Sequence, residues 1–173
     1  SLMITNKGHY FLADTHVQAD PSTEDLAEIA IAAADHVERF GIKPKIALVS
    51  HSDFGANDTP SSIKLRKSLE IVRQKAPDLE IDGEMEADSA LLAHVRDRVL
   101  PSSTLKGPAN ILVFPNLDAA NVAYQFAKVL ANAQPVGPIL LGPAKPAHVV
   151  TNSITSRGVV NMTAIAVAEA QTV

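Results

Sequence analysis

Apolar residues recur along this chain with two different periods, and the alternation between them sets out the architecture. Short apolar runs at residues 9–13 (H-Y-F-L-A), 45–50 (K-I-A-L-V-S), 111–114 (I-L-V-F) and 136–141 (V-G-P-I-L-L) read as buried strands. Residues 79–85 (L-E-I-D-G-E-M) alternate instead, which predicts a strand with one less buried face, near a sheet edge. Between the runs the spacing becomes helical. Leu26, Ile29, Ala30, Ala33, Val37 and Phe40 form one stripe, opened by a cap at Ser22 with Glu24 and Asp25 in the first turn and closed by Gly41 and Pro44. A second helix carries Leu65, Leu69, Val72 and Ala76, with Asp58 or Thr59 as cap, Pro60 near its start and Pro77 at its end. A third is expected from a cap at Asp88 through Leu91, Leu92, Val95 and Val99 to a stop at Pro101. A fourth starts at Asn116 or Asp118 and carries Val122, Ala123, Phe126 and Leu130. The last, over residues 158–171, is apolar on nearly all sides and calls for burial on more than one face. Strands alternating with helices imply an α/β fold of three layers, a mostly parallel sheet with helices on both faces.

Composition narrows the picture. Hydrophobic content of 46% with 20% charge suits a globular core, and an aromatic share of 4% leaves Ala, Val, Ile and Leu to fill it. A length of 173 residues suits one domain, or one domain plus a piece of another. The net charge of −4 argues against nucleic acid as a partner. No apolar run reaches the roughly 20 residues of a membrane helix, and no signal peptide is visible. The absence of cysteine excludes disulfides and thiolate chemistry and fits a cytoplasmic protein. Ser1 and Leu2 before Met3 read as an appended start on a piece of something longer.

Candidate chemistry gathers where strands end. Ser50, His51 and Ser52 follow the second run and could donate to a phosphate or a carbonyl oxygen, or could simply shape a turn with Asp53 and Gly55. Asn116, Asp118 and Asn121 flank a helix start, where amides and N–H groups meet anionic or amide-bearing ligands, unless they serve only as caps. Gly142 and Lys145 follow the last run, and Lys145 could meet a phosphate as a point charge. The 6 histidines show no metal-type pair at three or four residues, so no metal site is expected. There is no Walker A sequence, no G-x-G-x-x-G and no G-x-S-x-G.

Five collinear stretches, A-D-T-H-V, I-A-L-V-S-H-S-D-F-G, E-I-D-G-E-M-E-A-D-S-A, N-I-L-V-F-P-N-L-D-A-A-N-V-A-Y and G-P-I-L-L-G-P-A-K-P, resemble the phosphate acetyl/butyryltransferase family. The resemblance covers nearly the whole chain. It implies a phosphotransacetylase-like architecture, akin to isocitrate/isopropylmalate dehydrogenases, with two α/β domains around a cleft that binds coenzyme A. Residues 3–145 would form the second domain. Residues 146–173 would be the loop and helix that return to a first domain not contained here.

In active acetyltransferases of this family, N-D-L-S-R-G follows K-P and an Asp comes shortly after. Counting without gaps from Lys145-Pro146, the Ser position is Thr151, the Arg position Asn152 and the Asp position Gly158. Asn152 lacks a guanidinium and Gly158 a carboxylate, so no catalytic residue is expected. With this ending the chain looks most like the C-terminal transferase-like portion of large bacterial malic enzymes, a resemblance that implies a regulatory domain sensing acetyl-CoA. The parent would oxidise malate to pyruvate with NADP or NAD and a divalent metal, all held outside this chain. Two other expectations stand beside it: a fragment of a working phosphate acetyltransferase, and an oligomerisation scaffold. The partners expected are a small acyl-CoA and further copies of the chain, and ligand binding would separate the sensing domain from the scaffold.

Overall fold

The computed structural model describes residues 1–152 and 154–171; of the segment assigned above to the return to a first domain, residues 153, 172 and 173 lie outside it. Its order is β1 (Leu2–Thr5), β2 (Gly8–Ala13), α1 (Thr23–Arg39), β3 (Ile46–Val49), α2 (Pro60–Lys75), β4 (Ile81–Met85), α3 (Ala87–Leu91), α4 (Ala93–Val99), β5 (Ile111–Val113), α5 (Leu117–Leu130), β6 (Gln134–Val136) and α6 (Ser156–Ala170). The strands form one sheet in the order β4-β3-β5-β2-β1-β6. The β4, β3, β5 and β2 pairings are parallel, and β1 runs antiparallel to both its neighbours.

Two apolar cores separate three layers. On one face α1 and α2 bury Leu26, Ala30, Val37, Leu65, Leu69 and Val72 against Ile46, Leu48, Ile81, Ile111 and Val113. On the other, Ala90 of α3 and Ala120 of α5 cover Leu12, Ala47, Val49, Met85 and Leu112. Consecutive strand residues therefore alternate between two buried faces, as a parallel sheet requires. The caps follow the sequence. Ser22 accepts from Asp25 N while Asp25 answers from Ser22 N, Thr59 rather than Asp58 caps α2, and Asn116 rather than Asp118 caps α5.

Five details depart from expectation. A strand not expected from the sequence, β1, joins β2 to the β6 edge. The last strand is Gln134–Val136 rather than residues 136–141, because Gly137 turns at φ +132 and Pro138 has no N–H to continue a ladder. Asp88 is not the N-cap, which is Glu86: it sits in the first turn of α3, where it accepts from Ser89 N, and the single helix expected there breaks at Leu92. Next, β4 is an edge strand as expected, yet all five of its residues are buried, Asp82 and Glu84 included. Finally, the α5 face with Val122, Phe126, Val129 and Leu130 is exposed by 53, 59, 73 and 77%.

The buried acids of β4 are held by neighbours, although Glu84 Oε2 is buried without a hydrogen-bond partner among the described residues. Asp82 accepts from Ser103 Oγ at 2.7 Å and Thr104 N at 2.9 Å, and pairs with Arg73. Glu84 Oε1 accepts from Ser52 Oγ at 2.8 Å, Gly55 N at 2.9 Å and Arg66 Nη1 at 3.0 Å. Polar residues alternate along β4 to anchor loops, which is why the pattern resembled a half-solvated strand.

Candidate functional site

Parallel strands bring their carboxyl ends to one edge, so the loops after β2, β3, β4 and β5 gather there. The loop after β3 carries Ser50, His51 and Ser52. Ser52 is buried and committed to Glu84 and to Asn57 N, so it anchors the loop rather than facing a ligand. Ser50 and His51 lie nearer solvent, with Ser50 Oγ and His51 Nδ1 3.5 Å apart.

After β5, Asn116 accepts from Ala119 N and opens α5, leaving Asp118 exposed in the first turn. Asn121 donates through Nδ2 to Thr15 O at 3.2 Å, and Leu117 N donates to Ala19 O. These bonds join the start of α5 to the loop after β2, a loop the sequence reading did not place in the site. Asp14 shapes that loop by accepting from His16 N, Val17 N and Gln18 N. His16 Nδ1 lies 2.8 Å from Thr15 Oγ1, and its ring meets Tyr124 edge-on at 5.5 Å. Burial lowers the His16 pKa, the chain's amino group lowers it further and Asp14 partly offsets both. Burial also raises that of Tyr124. The quoted A-D-T-H-V stretch was the signal for this cluster, but nothing in its spacing announced a neighbour more than a hundred positions away.

The edge is rich in hydroxyl, amide and imidazole groups. Asp118 supplies the negative charge that the α5 N-terminus favours, so the arrangement suits a ligand's N–H, O–H and carbonyl groups better than a phosphate.

Gly142 and Lys145 lie elsewhere. They line a groove of about 280 Å³ with Asp35, His36 and Arg39 of α1 and Glu169 of α6. Those α1 residues belong to the helix end that leads into β3, at the opposite edge of the sheet. The eight candidate ligand residues thus divide: Ser50, His51, Asn116, Asp118 and Asn121 share the carboxyl edge, Ser52 is internal, and Gly142 with Lys145 faces a separate groove.

Thr151 and Asn152 are exposed on the irregular segment before α6. Thr155 caps α6 by accepting from Gly158 N, and a Cβ on Gly158 would meet Ile154 Cγ1 at 2.6 Å. No side chain fits there unless Ile154 moves. The helix opens on Ser156-Arg157-Gly158, the literal S-R-G tripeptide of the family's motif, five residues beyond the position an ungapped count assigns (151 against 156). With either count, residues 159–165 (V-V-N-M-T-A-I) supply no carboxylate.

The family model described as phosphate acetyl/butaryl transferase matches residues 1–167. An NAD-dependent malic enzyme of Rhizobium meliloti is 54% identical over 169 residues, covering 98% of this chain and 22% of that protein. An NADP-dependent malic enzyme of Escherichia coli is 51% identical over 171 residues, with the same coverages of 98% and 22%. The crystal structure of a phosphotransacetylase from Streptococcus pyogenes superposes with a TM-score of 0.95 at 33% identity, over 99% of this chain and 53% of that one. The chain therefore spans about a fifth of the malic enzymes it matches. By sequence and by fold, this chain belongs to the phosphate acetyl/butaryl transferase family.

Proposed function

We propose that this chain is a catalytically silent acetyl-CoA-sensing domain within a malic enzyme. One observation carries the reading. Helix α6 opens on S-R-G but continues into V-V-N-M-T without an acid, so the carboxylate that would take the thiol proton of coenzyme A is missing. The identity to malic enzymes supports the choice of parent. Oxidation of malate, with its nicotinamide cofactor and divalent metal, belongs to the part of the protein outside this chain. Acetyl-CoA would meet the carboxyl edge through Ser50, His51, Asp118, Asn121 and His16, groups suited to the amides and base of the ligand. A first domain, outside this chain, would supply the opposite wall.

The reading is tested by two assays on the full-length protein. With acetyl-CoA and phosphate, release of free thiol should stay at background, since losing one electrostatic group of an active site slows turnover by about 100- to 1,000-fold. Acetyl-CoA should nevertheless bind, and Asp118→Ala and His16→Ala should weaken it. Thiol release at an enzyme's rate would instead support a working transferase. Unchanged affinity in both variants would move the site away from this edge.

A further inference from the structure

We propose that the groove between α1 and residues 142–146 is a binding site for a phosphate group, taken up together with a proton on His36. The inference is independent of acetyl-CoA sensing at the carboxyl edge.

The groove has a built floor and two free-standing cations. His36 is only 5% exposed, yet among the described residues neither ring nitrogen has a hydrogen-bond partner, although imidazole normally satisfies both when buried. Nδ1 lies 3.2 Å from Glu169 Oε1 without hydrogen-bond alignment. Glu169 is held from its other side by His148. His148 Nδ1 accepts from Leu140 N, so its Nε2 carries the proton and donates to Glu169 Oε2 at 3.0 Å. Arg39 and Lys145 rise at the rim, exposed, and among the described residues neither makes an ion pair. Arg39 offers a planar fork of donors, and Lys145 a point charge held on a loop between Ala144 and Pro146.

Charge balance supplies the mechanism. Among the described residues that line the groove, Arg39 and Lys145 are offset by Asp35 and Glu169 while both histidines are neutral. A dianion is favoured only if a proton comes with it, and His36 is the group positioned to take one. Burial lowers its pKa first of all; Arg39, the chain's amino group and His148 push the same way, and Glu169 opposes them. A phosphate over the rim would raise that pKa. Affinity should therefore increase as pH falls toward the ordinary imidazole value of 6.5. The phosphate could be inorganic or the end of a larger ester; the shared chemistry is a tetrahedral dianion.

The test is calorimetric titration of this chain with inorganic phosphate, with a nucleoside monophosphate and with sulfate, at low salt and at two pH values. Sulfate remains a dianion throughout, so its pH dependence reports the protein alone. Sulfate should bind more tightly at pH 6 than at pH 8, with proton uptake seen by comparing buffers of different ionisation enthalpy. The His36 imidazole should titrate at higher pH when the anion is present, as followed by NMR. Arg39→Gln combined with Lys145→Gln, both at the surface, should weaken binding at least about tenfold, equivalent to 1.4 kcal/mol. His36→Gln should remove the proton uptake. Tighter binding of the nucleotide than of phosphate would identify an ester as the ligand, and the reverse would identify the free ion. The proposal is overturned if no anion binds at tens of millimolar, or if binding survives the double rim substitution. A pH-independent sulfate affinity with an unmoved His36 resonance would overturn it too. Because acetyl-CoA is absent from these titrations, failure here leaves the sensing reading standing.

Discussion

Replacing Glu84 should show how the sheet holds the candidate site. The carboxylate is wholly buried, and one oxygen gathers Ser52 Oγ, Gly55 N and Arg66 Nη1 within 3.0 Å, so it is the side-chain anchor of the loop after β3, beside the backbone bonds from Ser50 N to Met85 O and from Phe54 N to Glu84 O. Glu84→Ala removes the acceptor and leaves a cavity. Breaking a buried pair costs about 3–5 kcal/mol when the remaining charge is trapped. Here Arg66 retains Asp58 and reaches solvent, and Gly55 is exposed, so about 3 kcal/mol is the better figure. Glu84→Gln keeps the shape and one acceptor oxygen but loses charge assistance, a penalty of about 1–2 kcal/mol. Urea unfolding of the wild type and both variants measures these differences, and amide exchange shows whether residues 52–57 loosen first. The expected order is alanine well below glutamine below wild type, with exchange rising in that loop. If Glu84→Ala cost less than about 1 kcal/mol, or left the loop amides protected, Glu84 could not be the anchor.

Three further outcomes follow from other parts of the fold. Arg96 is 1% exposed and donates to the carbonyls of Ser89, Leu105 and Gly107, with no acidic partner among the described residues, so Arg96→Met should lower stability by about 2–4 kcal/mol in urea unfolding. Burial alone would raise the Glu80 pKa, but the bond from Lys43, the Lys106 N–H and the charge of Lys45 outweigh it and hold it below 4.5. Glu80 thus contributes stability above its unfolded pKa that is lost as pH falls through the lowered folded value, and Glu80→Gln should flatten acid destabilisation between about pH 5 and 3. The chain should self-associate at tens of micromolar, because the exposed face of α5, and Val159, Val160 and Val167 on α6, leave more apolar surface than a soluble monomer tolerates. Light scattering should show Phe126→Glu with Leu130→Glu shifting it toward monomer; a wild-type monomer would exclude that role for α5.

Much of the fold was legible because local chemistry and tertiary packing agree. Ser22, Gly41, Thr59, Pro60 and Asn116 mark helix ends through caps and backbone limits that need no distant partner. Where the sequence misled, a distant residue decided. Asp82 and Glu84 looked solvated until Ser103, Arg66 and Ser52 supplied their partners, and β1 is too short to declare itself without β2 and β6 on either side. The α5 stripe reads as core by period alone, yet no element among the described residues covers it. The same limit applies to the site. Strand ends announced Ser50, His51 and Asn116, whereas joining Asn121 to Thr15, or separating Lys145 from them, required the chain's path after Pro138.

The central claim is regulation of a distant active site by acetyl-CoA, and malate oxidation by the full-length protein, titrated with acetyl-CoA, tests it directly. The rate should fall with saturation, and coupling of this kind is typically about 5- to 150-fold in affinity. Asp118→Ala should shift the titration to higher acetyl-CoA while leaving the uninhibited rate intact. A wild-type rate that acetyl-CoA never lowers would contradict the account.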